Sequence, residues 1–210
     1  MAEDWLQRWE QGNIGWHQPQ GNAHLRHWWN ATAGGRVLVP LCGKSVDLLW
    51  LAERGHAVTG VELSPVAVQA FFEENGLAYT QEPAGELLRY FTCDKPIEIY
   101  CGDYFALRQA PFDAVFDRGA LVALPAEQRP AYAAHTRSLL RDGATQLLLT
   151  LSYEQAKVDG PPFSVMPEEA ARYWPTLTPI SRFDALETCP PKFRAAGLNE
   201  VIEIVWQGEV

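Results

Sequence analysis

A glycine and a carboxylate nineteen residues apart could together bind the hydroxyl groups of a ribose. Gly43 lies in the turn Pro40-Leu41-Cys42-Gly43-Lys44-Ser45, directly after the apolar run 37–39, and Glu62 ends a second apolar run. A strand, a glycine turn, a helix and a second strand with a terminal carboxylate make up a nucleotide-binding βαβ unit, in which the acid binds ribose. The spacing therefore predicts a site for an adenosine-containing cofactor.

The glycine content of this turn limits the choice of cofactor. A dinucleotide-binding turn uses three glycines so that backbone amides can approach a pyrophosphate, and this turn has only Gly43. A P-loop would need a further glycine five residues before Gly43, where Leu38 stands. The remaining candidate ligand is an adenosine without a phosphate chain, and S-adenosylmethionine fits this description. A strand, a glycine and a helix also follow one another in ordinary α/β turns that bind no ligand.

Two further motifs follow predicted strands, at the edge where open α/β sheets bind ligands. Asp103 and Tyr104 come after the predicted strand 97–101 and could bind the amino group of an adenine and stack on its ring. Asp117 and Arg118 come after the predicted strand 112–116, where a catalytic segment would lie. A simple turn for the first pair and a surface ion pair for the second are the alternatives.

Five of the eight tryptophans fall within the first 29 residues, ahead of the first predicted strand. Trp5 and Trp9 are four residues apart and would share one face of a helix, where they could cover an adenine or a sulfonium. They could instead attach this arm to the core, and spacing alone leaves both interpretations open. His17, His24 and His27 lack a matching cysteine or carboxylate cluster, so we expect no metal site.

Composition excludes several classes of protein. The chain has 210 residues, of which 47% are hydrophobic and 20% charged, as expected for a globular protein. Its formal net charge of −9, without any run of lysine or arginine, disfavours nucleic acid as a partner. Four scattered cysteines suit a reduced protein better than a disulfide scaffold. No signal-like segment or run of about 18 apolar residues occurs, so we expect a cytoplasmic protein without a membrane partner.

Apolar runs alternate with helical patterns between residues 36 and 153, which predicts an α/β fold with a parallel sheet and crossover helices. Strands after the first are predicted over 57–61, 97–101, 112–116 and 146–151. Helices are predicted over 45–54, from Pro65 through Phe72 with Ser64 as N-cap and Asn75-Gly76 as the stop, and over 125–140 with Asp142-Gly143 as the stop.

The last third of the chain has a different character, because prolines keep its elements short. Gly160-Pro161-Pro162 predicts an extended passage, and residues 180–186 and 200–206 could form a closing antiparallel pair. No internal repeat or linker is visible. We therefore expect one domain over 1–210, with an N-terminal arm over 1–35 that could act as a lid and a core over 36–210.

Together these motifs resemble the thiopurine S-methyltransferase family along nearly the whole chain. The matching segments are Trp5-Leu6-Gln7-Arg8-Trp9, Gly15-Trp16-His17-Gln18, Pro40-Leu41-Cys42-Gly43-Lys44, Gly60-Val61-Glu62-Leu63-Ser64, Asp117-Arg118-Gly119-Ala120-Leu121-Val122-Ala123, Leu151-Ser152-Tyr153 and Gly160-Pro161-Pro162-Phe163. Plant-type halide and thiol methyltransferases share the lid and the Gly-Pro-Pro element. They typically carry a Gly-x-Gly turn and an Asp-Tyr pair instead of Cys42-Gly43-Lys44 and Asp117-Arg118, and they are the near alternative.

The resemblance implies a Rossmann-like class I methyltransferase sheet, mostly parallel with an antiparallel strand at the end, with helices on both faces and an N-terminal helical lid. It implies that the S-adenosylmethionine pocket is lined by Trp5, Trp9, Trp16, Leu41, Gly43, Glu62, Asp103, Tyr104 and Arg118. On the acceptor side it places Trp16 against the acceptor ring, Arg118 between cofactor and acceptor, and Pro161 and Pro162 as a wall. A second acceptor-side arginine of the family corresponds to Lys192 here, with Arg194 close by.

Methyl transfer to sulfur needs a positioned thiolate more than a strong base. Well-oriented reactions gain on the order of 7–11 kcal/mol from positioning. A thiol ordinarily titrates near about 8.5, so a cation beside the sulfur raises the reactive fraction at neutral pH. We predict that Arg118 is that cation, directly or through water, and that Asp117 orients Arg118 or accepts a proton through water.

Two other classes of function stay open on sequence alone. A nicotinamide-dependent dehydrogenase would use the same βαβ unit, but the missing glycines count against it. A non-catalytic S-adenosylmethionine-binding protein would leave Arg118 and the prolines without an acceptor. We expect a monomer that methylates a small aromatic or heterocyclic thiol and releases S-adenosylhomocysteine, with selenium and tellurium species as further candidate acceptors.

Overall fold

The computed structural model describes residues 2–109 and 111–210, whose strands form one mixed sheet. The strands are β1 (Arg36–Val39), β2 (Ala57–Glu62), β3 (Thr80–Ala84), β4 (Leu87–Phe91), β5 (Ile97–Cys101), β6 (Phe112–Arg118), β7 (Leu140–Ser152), β8 (Thr178–Asp184) and β9 (Ile202–Glu209). The α-helices are α1 (Ala2–Glu10), α2 (Ala23–Trp28), α3 (Asp47–Glu53), α4 (Pro65–Glu74), α5 (Arg129–Leu139), α6 (Pro167–Tyr173) and α7 (Lys192–Ala195). Within the described ranges, no helix is long and apolar enough to cross a bilayer.

Five strands at the centre of the sheet run parallel, in the spatial order β5-β2-β1-β6-β7. Their carboxyl ends therefore meet at one edge, and the strand order reverses between β1 and β6. Ligands of open α/β sheets bind at such a switch point. The predicted α/β class with a parallel centre is confirmed.

The apolar core lies on both faces of this sheet. Leu38 and Val115 belong to one cluster of buried side chains, whereas Val37, Val39 and Phe116 belong to another. Successive side chains of a strand point to opposite faces of the sheet. Because both faces of the central strands are covered, the sequences of these strands are continuous apolar runs. The same alternation decides which residues beyond the strand ends face the candidate site.

The predicted turns around the first helices are present. Ser64 caps α4, because its hydroxyl accepts a hydrogen bond from Ala67 N, and Pro65 opens the helix. Asn75 follows α4 and Gly76 adopts a φ of 64°, as a helix stop requires. The first predicted helix, 45–54, corresponds to α3.

The segment predicted as a helix over 125–140 differs at both ends. Helix α5 begins only at Arg129 and ends at Leu139, because Pro125 and the next residues form a turn. Asp142 and Gly143 are no helix stop: they lie within β7, which begins at Leu140. Gly143 has a φ of 72°, close to the point where the pairing of β6 with β7 shifts register. The glycine therefore marks an irregularity of the strand.

The hairpin of β3 and β4 had no prediction. It extends the sheet beyond β5 in antiparallel fashion, with Gly85 at the tip in a positive φ of 68°. Strand β3 is the edge of the sheet, and four of its five residues are exposed. Its composition, with Pro83 near the end, lacks the apolar alternation that would indicate a strand.

The predicted closing pair is confirmed, with shifted bounds, by antiparallel β8 and β9. Strand β9 is inserted between β7 and β8 and pairs antiparallel with β7 from Thr145 to Ser152. This arrangement fixes the carboxyl end of β7. The segment 153–166 that follows β7 therefore starts from the same sheet edge as the turns after β1, β2, β5 and β6.

The end of the N-terminal arm is attached to the core. Trp28 and Trp29 pack against one of the two apolar clusters, and the Trp28 carbonyl accepts a hydrogen bond from Gln207 Nε2 in β9. The backbone amide of Asn22 donates to Asp47 Oδ1 at the start of α3 over 2.7 Å. The end of the tryptophan-rich arm is thus attached to the core through Trp28 and Trp29.

We expect Gly60→Ala to lower the free energy of unfolding by about 1–3 kcal/mol, the usual cost of overpacking a core. A Cβ atom at Gly60 would lie 2.7 Å from Cys42 Sγ and 3.0 Å from Leu48 Cδ2. The matched control is Gly15→Ala, because a Cβ atom there would meet nothing within 4 Å. Urea titrations of both variants measure the difference, and equal midpoints would contradict the tight packing described between β2 and α3.

Candidate functional site

A cavity of about 440 Å³ lies at the carboxyl edge of the central strands. Its walls come from the N-terminal arm, from the turns after β1, β2, β5 and β6, and from helix α5. All nine residues predicted for the cofactor pocket line this cavity, namely Trp5, Trp9, Trp16, Leu41, Gly43, Glu62, Asp103, Tyr104 and Arg118. The sequence motifs are therefore brought together in one place.

Glu62, the last residue of β2, is held by two backbone amides. One carboxylate oxygen accepts from Gly43 N over 2.8 Å, and the other accepts from Ser64 N over 2.8 Å. The side chain is buried, and burial raises the pKa of Glu62, while the two N–H donors act in the opposite direction. Each carboxylate oxygen can accept a further hydrogen bond, so Glu62 can bind a pair of hydroxyl groups in the cavity.

The turn after β1 has a left-handed backbone, with φ values of 47° at Leu41 and 55° at Gly43. A Cβ atom at Gly43 would lie 3.0 Å from the indole ring of Trp9. Glycine is therefore needed here for two reasons, the sign of φ and the close approach of the arm. The single glycine of the turn makes room for an aromatic ring as well as for its own backbone conformation.

The three tryptophans of the arm pack against one another beside this turn. Trp5 and Trp9 lie on one face of α1, as their spacing predicted, and Trp16 stands edge-on to both. The ring centroids are 5.1 Å apart for Trp5 and Trp16 and 5.9 Å apart for Trp9 and Trp16. Such edge-to-face pairs are favourable, so the aromatic wall is a packed unit.

Asp103 and Tyr104 follow β5 and have different surroundings. The exposed Asp103 caps a short 3-10 turn by accepting from Phe105 N over 3.0 Å. Tyr104 is buried, and its hydroxyl lies 2.9 Å from Thr136 Oγ1 of α5. Burial raises the pKa of Tyr104, so the phenol stays protonated. Both side chains border the cavity, Asp103 with a free oxygen and Tyr104 with its ring.

Arg118 ends β6 and lines the cavity. Burial lowers the pKa of its guanidinium, and the negative charges of Asp47 and Glu203 partly oppose that shift. Within residues 2–109 and 111–210, the Arg118 side chain has no hydrogen-bond or ion-pair partner. The cavity therefore contains a cation that can bind an anionic or polar group of a ligand.

Asp117 lies at the end of β6, as predicted, but its side chain is buried beside the cavity and is not part of the cavity wall. Its side chain is completely buried, accepts from the Tyr132 hydroxyl over 2.7 Å and from Leu121 N over 3.2 Å, and does not line the cavity. Neighbouring residues of a strand point to opposite faces, so the direction that brings Arg118 to the cavity takes Asp117 away from it. Asp117 therefore contacts Tyr132, which does line the cavity, and its predicted role in catalysis stays a prediction.

The predicted acceptor-side residues are divided. Pro161 lines a second cavity of about 520 Å³, which shares Trp5 and Ala123 with the first. Pro162 lines neither of these two cavities, and its carbonyl accepts from the Tyr153 hydroxyl over 2.6 Å. Of the two prolines, Pro161 alone lines one of these two cavities, and the acceptor-side wall stays a prediction.

Neither candidate for the second acceptor-side cation lines these cavities. Lys192 Nζ donates to the carbonyls of Asp159 and Pro161, over 2.7 and 2.8 Å, and so attaches α7 to the loop after β7. Arg194 donates to the carbonyls of Leu186 and Glu187. Lys192 therefore tethers the loop after β7, and the substrate contact predicted for it stays a prediction.

Sequence reasoning missed several residues that line the two cavities. His17 and Gln18 belong to a motif that was noticed only for its tryptophan, and Asp47 opens α3. Tyr132 comes from within α5, far from any strand end, so no local signal could have indicated it. Arg8 lines the second cavity and lies between Trp5 and Trp9, the two residues of this segment for which a site was predicted.

The histidines of the arm point in different directions. His24 Nε2 lies 3.0 Å from Glu203 Oε1, and its ring stacks on Phe183, whereas His27 packs against Trp28. His17 alone of the three lines the first cavity. In the part of the chain that the structure describes, no group of three or more metal-binding side chains occurs.

Solved structures of methyltransferases have the same fold. The chain aligns with 1,6-didemethyltoxoflavin-N1-methyltransferase of Burkholderia thailandensis, crystallised with its substrate and S-adenosylhomocysteine, at a TM-score of 0.61 and 17% identity over 99% of this chain and 86% of that one. A glycopeptide N-methyltransferase in complex with S-adenosylmethionine aligns at a TM-score of 0.58 and 18% identity over 89% of this chain and 86% of that one. These similarities establish the class I methyltransferase fold.

The sequence comparisons identify the family. Thiopurine S-methyltransferase of Bordetella petrii is 45% identical over 98% of this chain and 97% of its own length. The enzyme of Photobacterium profundum is 42% identical over 100% of this chain and 99% of its own length. The family model for thiopurine S-methyltransferase matches residues 1–209. With the cofactor motifs gathered around one cavity, these matches show that the chain belongs to the thiopurine S-methyltransferase family.

Proposed function

We propose that this protein transfers the methyl group of S-adenosylmethionine to the sulfur of a small aromatic or heterocyclic thiol. The observation that carries the proposal is the guanidinium of Arg118, which faces a largely aromatic cavity without a partner in the described part of the chain. A charged group that is partly removed from water needs an opposite charge or hydrogen bonds. A thiolate supplies the charge.

The residues around the cavity fit S-adenosylmethionine. Glu62 would bind the ribose hydroxyls with the lone pairs that its two backbone donors leave available. Asp103 would accept from the adenine amino group, and the Tyr104 ring would border the base. Leu41 and Gly43 would form the turn that passes under the sugar, and no second or third glycine is needed because the ligand has no pyrophosphate.

The aromatic wall of Trp5, Trp9 and Trp16 would cover the reacting centre. When bound, S-adenosylmethionine supplies a methyl group that its sulfonium charge already activates. Indole faces attract cations, so Trp5 and Trp9 suit a positively charged ligand, and Trp16 would lie against the acceptor ring. We propose that residues 1–35 act as a lid on a single-domain core and exclude water from the cavity.

Arg118 would raise the thiolate fraction of the acceptor. A cation beside a thiol lowers the pKa of that thiol, which is ordinarily near about 8.5. The positive charge also fixes where the sulfur lies, so one side chain contributes to both ionisation and orientation. Selenium and tellurium acceptors would bind in the same way, since their ionised forms are also anions. We further propose that the protein works as a monomer in the cytoplasm.

Asp117 would act as a positioning residue. It anchors Tyr132 and the backbone at Leu121, and both of these border the segment that continues from Arg118. Its carboxylate never needs to reach the acceptor for this role. The contact keeps the Tyr132 ring in the wall of the cavity and the turn after β6 in a fixed conformation.

Arg118→Ala should reduce kcat/KM for a thiol acceptor by at least about 100-fold, the usual effect of removing one preorganised charge-stabilising group. Unfolding midpoints should change little, because the side chain has no partner within the described residues. The loss should be smaller for an acidic thiol that is already ionised at the assay pH. The matched control is Arg172→Ala, a surface arginine of α6. Unchanged rates with thiols would remove Arg118 from the mechanism.

Asp117→Asn should change how stability depends on pH. Burial raises the pKa of Asp117 from 3.8 to about 6, so the native state keeps the proton longer than the unfolded chain as pH rises. Stability is therefore lost between about pH 4 and 6, and the loss amounts to about 3 kcal/mol above that range. The variant does not lose this stability, because asparagine does not ionise. Urea titrations from pH 4 to 8 should give curves for the two proteins that diverge, and parallel curves would contradict the ionisation described here.

The activity itself is tested by transfer of labelled methyl from S-adenosylmethionine to 6-mercaptopurine, with iodide as a parallel acceptor. We expect methylated thiopurine and no methyl iodide. Methyl iodide without thiopurine turnover would favour the plant-type halide methyltransferases as the better comparison. Binding of S-adenosylhomocysteine without turnover of any acceptor would support a non-catalytic binding protein.

A further inference from the structure

The second cavity lies between helix α1 and the loop after β7, outside the aromatic wall. Its volume is about 520 Å³, and its lining includes Arg8, Gln7, Pro161 and Phe163. Trp5 and Ala123 line both cavities, so the two spaces are separated by little more than one indole ring and one methyl group. The two cavities therefore adjoin at these two side chains.

Arg8 is the cation of this second cavity. Its guanidinium carbon lies 5.6 Å from the centroid of the Trp5 ring, the ring that forms the shared wall. Apart from this stacking contact, the Arg8 side chain has no hydrogen bond or ion pair within residues 2–109 and 111–210. Its five N–H donors are therefore available to a ligand that reaches past Trp5.

The charged groups around Arg8 are of both signs. Lys192 is near enough that the positive charge of Arg8 contributes to lowering the pKa of Lys192, together with burial. Lys192 is itself bound to the carbonyl of Pro161, so the second positive charge is fixed at the loop that closes the cavity. Asp4 brings one negative charge to the same cavity and has its own interaction. The carboxylate of Asp159 opposes the effect of Arg8 on Lys192, so two cations stand near two carboxylates. The attraction for an anion therefore comes from the Arg8 guanidinium itself, whose donors have no partner among the described residues.

The neutral part of the cavity suits an aromatic ligand. Phe163 and Trp5 provide ring faces, and Gln7 provides an amide that can donate or accept. Guanidinium groups bind carboxylates and phosphates in a bidentate way. An arginine beside an aromatic wall thus fits an anionic group carried on an aromatic ring.

We propose that the second cavity binds an anionic substituent of the thiol acceptor, and that Arg8 forms the charged contact to it. The inference rests on the proposed function, since it assigns the acceptor to the class of aromatic thiols that carry a carboxylate or a phosphate. The sulfur lies at Arg118 in the first cavity, and the anion lies at Arg8 in the second. Arg8 is thus a specificity-determining residue on the helix that also carries Trp5 and Trp9.

The test compares two acceptors that differ only in charge, 3-mercaptobenzoate and its methyl ester. The wild-type protein should have the higher kcat/KM with the carboxylate. Arg8→Gln should lower kcat/KM for the carboxylate by about tenfold, mainly through KM, and should change the value for the ester by less than about twofold. Arg8→Lys should keep part of the preference, and Arg172→Gln, which removes a distant surface charge, should keep all of it.

Each other outcome has a defined meaning. An equal fall with both acceptors would make Arg8 a structural residue of the lid and would overturn the inference. An unchanged ratio in Arg8→Gln would overturn it too, while turnover of both thiols would leave the proposed function in place. Free benzoate could also inhibit turnover although the protein shows no preference between the two thiols. That result would mean that the second cavity binds a separate anion, and it would overturn the proposal that the cavity binds a substituent of the acceptor. No turnover of either thiol would end both proposals.

Discussion

The pair of hydrogen bonds made by Glu62 fixes the site. One carboxylate ties the end of β2 to the turn after β1 and to the start of α4, through Gly43 N and Ser64 N. The turn that it fixes has a left-handed backbone, and Trp9 packs directly on that turn. Trp16 then packs on Trp9 and on Trp5. The position of the aromatic wall thus depends on one buried acid whose charge is stabilised by two backbone N–H groups.

The last two residues of β6, Asp117 and Arg118, lie in different environments. Arg118 faces the cavity without a partner in the described chain, whereas Asp117 is buried on the other face and bound to Tyr132. If the two charges had faced the same side, they would have neutralised each other, and the cavity would have lost its cation. The alternation of the strand keeps them apart, and the cost of burying Asp117 appears as its raised pKa.

The motifs at the strand ends could be predicted from the sequence, because each consists of residues that lie close together along the chain. The spacing of Gly43 and Glu62, the cap at Ser64 and the helical face of Trp5 and Trp9 are all local, and all three are present. The features that the sequence did not predict have a common cause. The contacts of Asp117 and Lys192 depend on side-chain direction and on how a distant loop approaches, and spacing contains neither. The hairpin of β3 and β4 was missed because an exposed edge strand has no apolar period to detect.

The position of β9 has a consequence for how the protein is made. Strand β8 pairs with β9 and has no other neighbour among the described strands, so it has no partner until residues 202–209 emerge from the ribosome. One attachment of the arm also forms late, since the Trp28 carbonyl binds Gln207, 179 residues further along the chain. The parallel centre can assemble during translation, but the contacts of β9 with β8 and with the arm form only after residues 202–209 have been made. A nascent chain therefore has a cofactor edge before it has these contacts.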